Sequence, residues 1–375
     1  MIIEKTKLIK ALKQISIFVG KKSKNQSASL IHFINENNKA MIFATDFFSV
    51  GRTYFETNET ERFEFCIEYA QLNQVTKIRD KEINVEIFQD KELPNGEKAS
   101  GIEFYDNKTK FTWTLHDPEE LVAIENKTVI PDDVPFVEIN AKLFKSALKE
   151  AGYARDEKNT QNPFITGVNF IFDGKNISFA STDRHRIACW KQSQEEEKEE
   201  QINGIFSPKI IQSVALFNDD EQIKIYITEN QIILVSDSLE AYATKIKCDY
   251  PDINKFFEKP ILSSYEISSS EVMESLTIID GINTTSLRLQ FENDKVKITA
   301  KNEFGDNVED YFSCKKMSGT DNDDIYIDPV LFTDIFKNIS NTAMVLEFRE
   351  MSKDFKILSY LSDSGAYGML APQRK

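Results

Sequence analysis

The stretch Phe179-Ala180-Ser181-Thr182-Asp183-Arg184-His185-Arg186-Ile187-Ala188 reads as the end of one strand, a tight polar turn and the start of the next. Apolar Ile177, Phe179, Ile187 and Ala188 flank four ionisable groups set in five positions. Unpaired charges at that density are not tolerated inside a sheet, so the turn faces solvent or a ligand. Alone it is a surface hairpin whose Asp183 pairs with Arg184 or Arg186. An upstream echo changes the reading: Phe43-Ala44-Thr45-Asp46 follows Met41-Ile42 as Phe179-Ala180-Ser181-Thr182-Asp183 follows Ile177-Ser178. A third, blurred copy is Lys297-Ile298-Thr299-Ala300-Lys301-Asn302. Copies spaced so widely are domains, not solenoid units.

A chain of 375 residues is too long for one core and suits two or three domains. With 41% hydrophobic and 29% charged residues it has the balance of a soluble globular protein. No run approaches the roughly 20 apolar residues of a membrane span. Met1-Ile2-Ile3-Glu4-Lys5 leads into no signal-peptide core, so a cytoplasmic location is expected. Cys66, Cys189, Cys248 and Cys314 stand far apart, and only His32, His116 and His185 join them. That pattern fits neither a zinc motif nor a disulfide framework, and no metal or cofactor is expected. The net charge of -15 argues against an open nucleic-acid surface. The first 24 residues nevertheless hold seven lysines (5, 7, 10, 13, 21, 22 and 24) against Glu4, a basic patch able to hold phosphates on an acidic body.

Residues 1–128 form the first unit. A short strand leads into a helix with Leu8, Ala11, Leu12, Ile15 and Phe18 on one face, Lys7, Lys10 and Lys13 on the other, and Thr6 as its cap. Strands follow, then a helix over 70–79, a hairpin at Leu93-Pro94-Asn95-Gly96, and a closing turn at His116-Asp117-Pro118. Residues 129–258 repeat this order: Asn140 caps a helix whose Lys142, Lys145 and Lys149 renew the lysine face, Ser207-Pro208 opens the later helix, and Asp249-Tyr250-Pro251-Asp252 closes the unit. Residues 259–375 form the third copy, with Glu271 and Glu274 in place of lysines and Asp328-Pro329 opening its second helix. The fold is thus α+β, one unit three times over. The run Gln194 to Gln201 is a solvated loop.

Catalytic constellations are absent from the pattern. Asp321-Asn322-Asp323-Asp324 starts like a calcium loop, but Tyr326 and Phe332 stand where glycine and glutamate are needed. No glycine-rich phosphate loop occurs. His185, between two arginines, has only Asp183 as a possible orienter for base catalysis. The apolar tail Met369-Leu370-Ala371-Pro372 is either a last core strand or the wall of an apolar groove, and a strand with two faces can be both.

The three copies, the Thr182-Asp183-Arg184-His185-Arg186-Ile187 turn and the Met369-Leu370-Ala371-Pro372-Gln373-Arg374 tail together resemble the bacterial sliding clamp, the beta subunit of DNA polymerase III. The resemblance covers the whole chain. It implies three clamp domains (1–128, 129–258 and 259–375) and a head-to-tail homodimer closing a six-domain ring around double-stranded DNA, a processivity factor and not an enzyme. It also implies that Lys7, Lys10, Lys13, Lys142, Lys145 and Lys149, with Lys21, Lys22 and Lys24, meet phosphates without reading sequence. The family's peptide pocket, which takes motifs of polymerases, clamp loader and repair proteins, maps onto Phe164, Ile165, Thr182, Arg184, His185, Arg186, Ile187, Pro251, Lys255, Phe256, Met369, Leu370, Pro372 and Arg374.

The chain departs from the family at named places. Arg184 replaces a glycine, Lys255 an arginine, Gly368 an apolar residue and Ala371 a methionine; the last two are expected to deepen the groove, and Arg184 to add a cation to its rim. Glu271 and Glu274 are expected to weaken phosphate contact in the third unit. Two other classes remain open: a plasmid- or phage-type scaffold that binds replication proteins without ring function, and a metal-dependent nucleic-acid enzyme built on Asp183 and Asp117, Glu119 and Glu120.

Overall fold

The computed structural model describes residues 1–20, 25–92, 98–130, 133–159, 161–195, 197–292, 294–319, 323–339, 342–352 and 355–373. Lys21, Lys22, Lys24, Arg374, Asp321, Asn322 and the Pro94-Asn95-Gly96 turn lie outside them. The protein is α+β, and its described residues form three antiparallel sheets. Two compact units emerge, Met1–Phe144 with Phe206–Lys245, and Lys145–Ile205 with Ile246–Lys375. They follow the sheets, dividing the strands of the second repeat between them.

The first unit holds a four-stranded sheet, ordered Ile2–Glu4, Glu82–Glu92, Lys98–Tyr105 and Lys110–Thr114. It also holds an eight-stranded sheet, in which Phe63–Glu68, Leu30–Glu36, Lys39–Thr45 and Ser49–Glu56 are continued by Leu239–Thr244, Gln231–Val235, Gln222–Ile227 and Phe136–Asn140. Burial is continuous from Ile42 to Thr45, as in a strand covered on both faces, and the ladder sets Ile42 opposite Thr53 and Ala44 opposite Gly51. Phe33 and Phe65 stack 4.6 Å apart in the core. Each such buried ring contributes about 1.5–3 kcal/mol.

The Lys5–Ile15 helix buries Leu8, Ala11, Leu12 and Ile15 and exposes Lys10 and Lys13. It begins earlier than the sequence suggests. Glu4 occupies the cap position, and Thr6, one residue inside the helix, donates to the Glu4 carboxylate instead of capping. The second helix spans only Tyr69–Val75, where a capping box of Glu68 and Gln71 fixes its start. His116-Asp117-Pro118 does not close the repeat as a simple turn. It leads into a further helix, Glu119–Lys127, whose first free N–H is taken by Asp117 Oδ1 at 2.9 Å.

The second unit contains one twelve-stranded sheet. Its order is Ile202–Phe206, Val168–Phe172, Asn176–Thr182, Arg186–Ser193, Ala366–Leu370, Phe355–Ser362, Ala343–Ser352, Ile261–Ser268, Asn307–Gly319, Lys295–Lys301, Leu287–Phe291 and Asp324–Ile327. The apolar tail is therefore a central strand. It pairs Ile187 with Met369 on one side and Ser359 with Met369 on the other. Asp328 caps the Pro329–Asn338 helix through the N–H groups of Val330 and Leu331, as its sequence predicts, whereas Ser207 before Pro208 makes no such bond. Asp323, at the failed calcium loop, is buried and held by Tyr265 Oη at 2.9 Å and Lys356 Nζ at 2.8 Å.

Candidate functional site

The two Thr-Asp turns have one geometry. Thr45 Oγ1 donates to the Ser49 carbonyl at 2.8 Å and Thr182 Oγ1 to the Arg186 carbonyl at 2.7 Å. The Asp46 carboxylate accepts the N–H groups of Phe48 and Ser49, and Asp183 those of His185 and Arg186. The residue after the aspartate is forced left-handed, with φ of 71° at Phe47 and 75° at Arg184. A side chain costs about 1–2 kcal/mol there, which explains a glycine at Arg184 in the resembling family. In the blurred third copy Asn302 accepts from Phe304 and Asp306, and the left-handed place falls to Gly305.

At the second turn the second unit forms a cavity of about 360 Å³. Phe164, Thr182, Arg184, His185, Arg186, Ile187, Pro251, Phe256 and Met369 line it, so nine of the sequence-predicted residues come together. Ile165 and Leu370 are fully buried and do not line the cavity. Lys255 does not line the cavity; it lies 3.5 Å from Asp252. Pro372 stands beyond the wall, although the neighbouring Ala371 N–H ties the tail to the His185 carbonyl at 2.9 Å.

Four further wall residues escape a sequence-based assignment to the site, Ile253, Met351, Phe355 and Ile357, whereas Ala371, expected in the groove from its place in the tail, lines it. A signal for two of them exists. Phe355, Ile357 and Ser359 share one face of a strand by period-two alternation, and Ser359 lies opposite Met369. That face extends the apolar wall, but only the strand order, invisible in the sequence, brings it there.

The rim differs from the expectation of several available cations. Arg186 is inward: its side chain is only 9% exposed, Nε binds Asp183 Oδ2 at 2.9 Å, and a terminal nitrogen binds Asp334 Oδ2 at 2.8 Å. It also donates to the Tyr153 carbonyl at 3.3 Å. Its charge is spent on the turn and on the Pro329–Asn338 helix. Arg184 is exposed and has no ion-pair partner among the described residues. Gly368 does not deepen the groove either. A Cβ there would overlap the Ile187 carbonyl oxygen and the Tyr360 hydroxyl, so the missing side chain makes room for Tyr360, which bonds Tyr153 Oη at 2.6 Å. Gly368→Ala is expected to cost about 1–3 kcal/mol, read as a lower denaturation midpoint.

An apolar cleft of this size with a few polar groups at its edge is suited to an extended segment that inserts apolar side chains. Among the described residues the turn offers catalysis no comparable arrangement. Both Asp183 oxygens are engaged within the turn and by Arg186, leaving no base for His185 to be oriented by.

The model of the DNA polymerase III beta subunit, central domain, matches residues 138–252. Beta sliding clamps of Streptococcus pneumoniae and Staphylococcus epidermidis are 20% and 23% identical over 273 residues, covering 71% of this chain and 71% and 70% of theirs. Solved DNA polymerase sliding clamps from Bacillus subtilis and Pseudomonas aeruginosa are similar in fold, with TM-scores of 0.85 and 0.84 at 14% identity. Those superpositions cover 100% of this chain and 98% and 99% of the other two.

Proposed function

We propose that this chain, which belongs to the bacterial sliding-clamp family, the beta subunit of DNA polymerase III, is a processivity factor: a ring-shaped homodimer that encircles duplex DNA and tethers replication proteins to it. Its three clamp domains are residues 1–128, 129–258 and 259–375. The groove at Thr182–Ile187 is the peptide site for the polymerase, the clamp loader and repair proteins, and the setting is cytoplasmic.

One observation carries the ring. The strand after the first Thr-Asp turn, Ser49–Glu56, pairs with the last strand of the second repeat, Leu239–Thr244. The strand after the second turn, Arg186–Ser193, pairs with the last strand of the third repeat, Ala366–Leu370. One strand of each kind is left over: Lys110–Thr114, the last of the first repeat and an edge of its sheet, and residues 307–313, which follow the third turn and pair on one side only, with Lys295–Lys301. The ladder registers turn the backbone groups of Thr112 and Thr114 outward on the first, and those of Glu309 and Tyr311 outward on the second. Two complementary open edges on one chain are satisfied by a second copy, head to tail.

For DNA, Lys10, Lys13, Lys142 and Lys149 are exposed on their helices, and Lys7 is partly engaged by Glu4 and the Glu56 carbonyl. Lys145 is half-buried. In the third repeat Glu274 is exposed, whereas Glu271 caps the open strand edge by accepting the Ser313 N–H at 2.8 Å. That structural role accounts for an acid in the Glu271 place. Phosphate contact then falls to the first two repeats.

The test uses light scattering and retention on DNA. The protein is expected to run as two chains, to stay on nicked circular plasmid in high salt once its own loader has placed it, and to be lost when the plasmid is cut. Thr112→Pro, which removes an outward N–H and spares the inner ladder, is expected to give monomers that are not retained. A monomeric parent that never stays on circles would leave only the scaffold reading.

A further inference from the structure

We propose that Arg184 is a specificity-determining residue that makes this groove select peptides carrying a carboxylate beside their apolar anchors. The inference rests on the groove being the peptide site. It identifies the occupant as an extended segment with apolar plugs and one aspartate or glutamate next to them.

Charge accounting around the cavity leads there. Arg186 is enclosed by Asp183 and Asp334, and Lys255 sits beside Asp252 and outside the lining. Arg184 lines the cavity, is exposed, and has no carboxylate partner among the described residues. Of the other polar lining residues, Thr182 spends its hydroxyl on the Arg186 carbonyl and His185 is an exposed imidazole at the same rim, while Met351, Phe355, Ile357 and Met369 make an apolar wall that offers a peptide charge nothing to pair with. A rim carboxylate on the partner is therefore placed favourably at Arg184, the one lining group that carries a permanent charge without a carboxylate partner among the described residues.

The backbone makes Arg184 more than a loose surface charge. Its N–H is held by Thr182 Oγ1 at 3.1 Å, and the N–H groups of the next two residues by Asp183. The left-handed φ of 75° thus belongs to the fixed turn, and it sets where the side chain leaves the rim. The same strained place in the first repeat is taken by Phe47, so the strain comes from the turn and the charge is the feature particular to the groove. Because the whole chain carries a net charge of -15, acidic partners gain nothing from long-range attraction. Selection must come from this local contact.

The experiment is a fluorescence-anisotropy titration of the full-length protein with labelled peptides of the Gln-Leu-Ser-Leu-Phe type. Each position beside the anchors carries aspartate in one peptide and asparagine in its twin. At low salt one aspartate peptide is expected to bind about two- to fivefold tighter than its asparagine twin, the range for an exposed charge pair. The preference is expected to fade in high salt and to vanish in Arg184→Gln, where the aspartate and asparagine twins bind alike. Arg184→Gly relieves the strained φ and is expected to melt no lower than the parent while also losing the preference. Equal binding of every twin pair to the parent, or a preference that survives Arg184→Gln, overturns the role of Arg184. Failure of all peptides to bind the parent overturns the groove reading itself.

Discussion

Replacing Arg186 with alanine is expected to lower stability by about 3 kcal/mol and to take peptide capture with it. The side chain is 9% exposed and neutralises Asp183 and Asp334, which are 14% and 31% exposed. Truncation leaves two carboxylates facing a vacated space, the loss of Asp334 being the smaller because water reaches it. It also frees the Tyr153 carbonyl and the face of the Tyr153 ring, 5.2 Å from the guanidinium. Arg186→Lys keeps the charge but not the fork that reaches both acids, and is expected to fall between. Urea denaturation read together with peptide anisotropy separates two roles. A residue that positions the turn loses stability and affinity in step, whereas one that only touches the peptide would lose affinity at unchanged stability.

Much of this site is legible in the amino-acid sequence alone. The Thr-Asp echo carries a real equivalence because short polar side chains and backbone N–H groups close the turn locally, and local bonds are written in adjacent residues. The amphipathic helix at Leu8, Ala11, Leu12 and Ile15 is legible for the same reason. What the sequence hides depends on partners far along the chain. The inward turn of Arg186 needs Asp334, and the true use of Gly368 needs Tyr360. The wall residues Met351, Phe355 and Ile357 need a strand order that no local pattern specifies. The Glu119–Lys127 helix is hidden because its proline-led entry reads equally as a turn.

That helix is held by the second device with a large expected effect. His32, 1% exposed, lies between two carboxylates, Nδ1 at 3.0 Å from Glu125 and Nε2 at 2.8 Å from Glu64. Burial by itself would push the imidazole's pKa down, but the hydrogen bonds and charges of Glu125 and Glu64 outweigh it and hold it above the usual 6.5. Arg52 completes the attachment at the end of the helix, donating to the carbonyls of Glu125, which also accepts the Thr128 N–H, and of Thr128 at 2.6 and 2.7 Å. Glu64 is likewise shifted below its usual 4.5: burial works against the shift, and Arg62 and His32 impose it. The signs give a window. The His32 contribution is complete below 6.5 and is lost as pH rises through the raised value, whereas that of Glu64 is complete above 4.5 and is lost as pH falls. His32→Gln, which keeps hydrogen bonding and removes the charge, is therefore expected to cost about 2 kcal/mol between those limits and progressively less in alkali. Urea midpoints of both proteins from pH 5 to 9.5 check this: converging profiles on the alkaline side place the cation between Glu64 and Glu125, and parallel profiles would mean that His32 is neutral throughout.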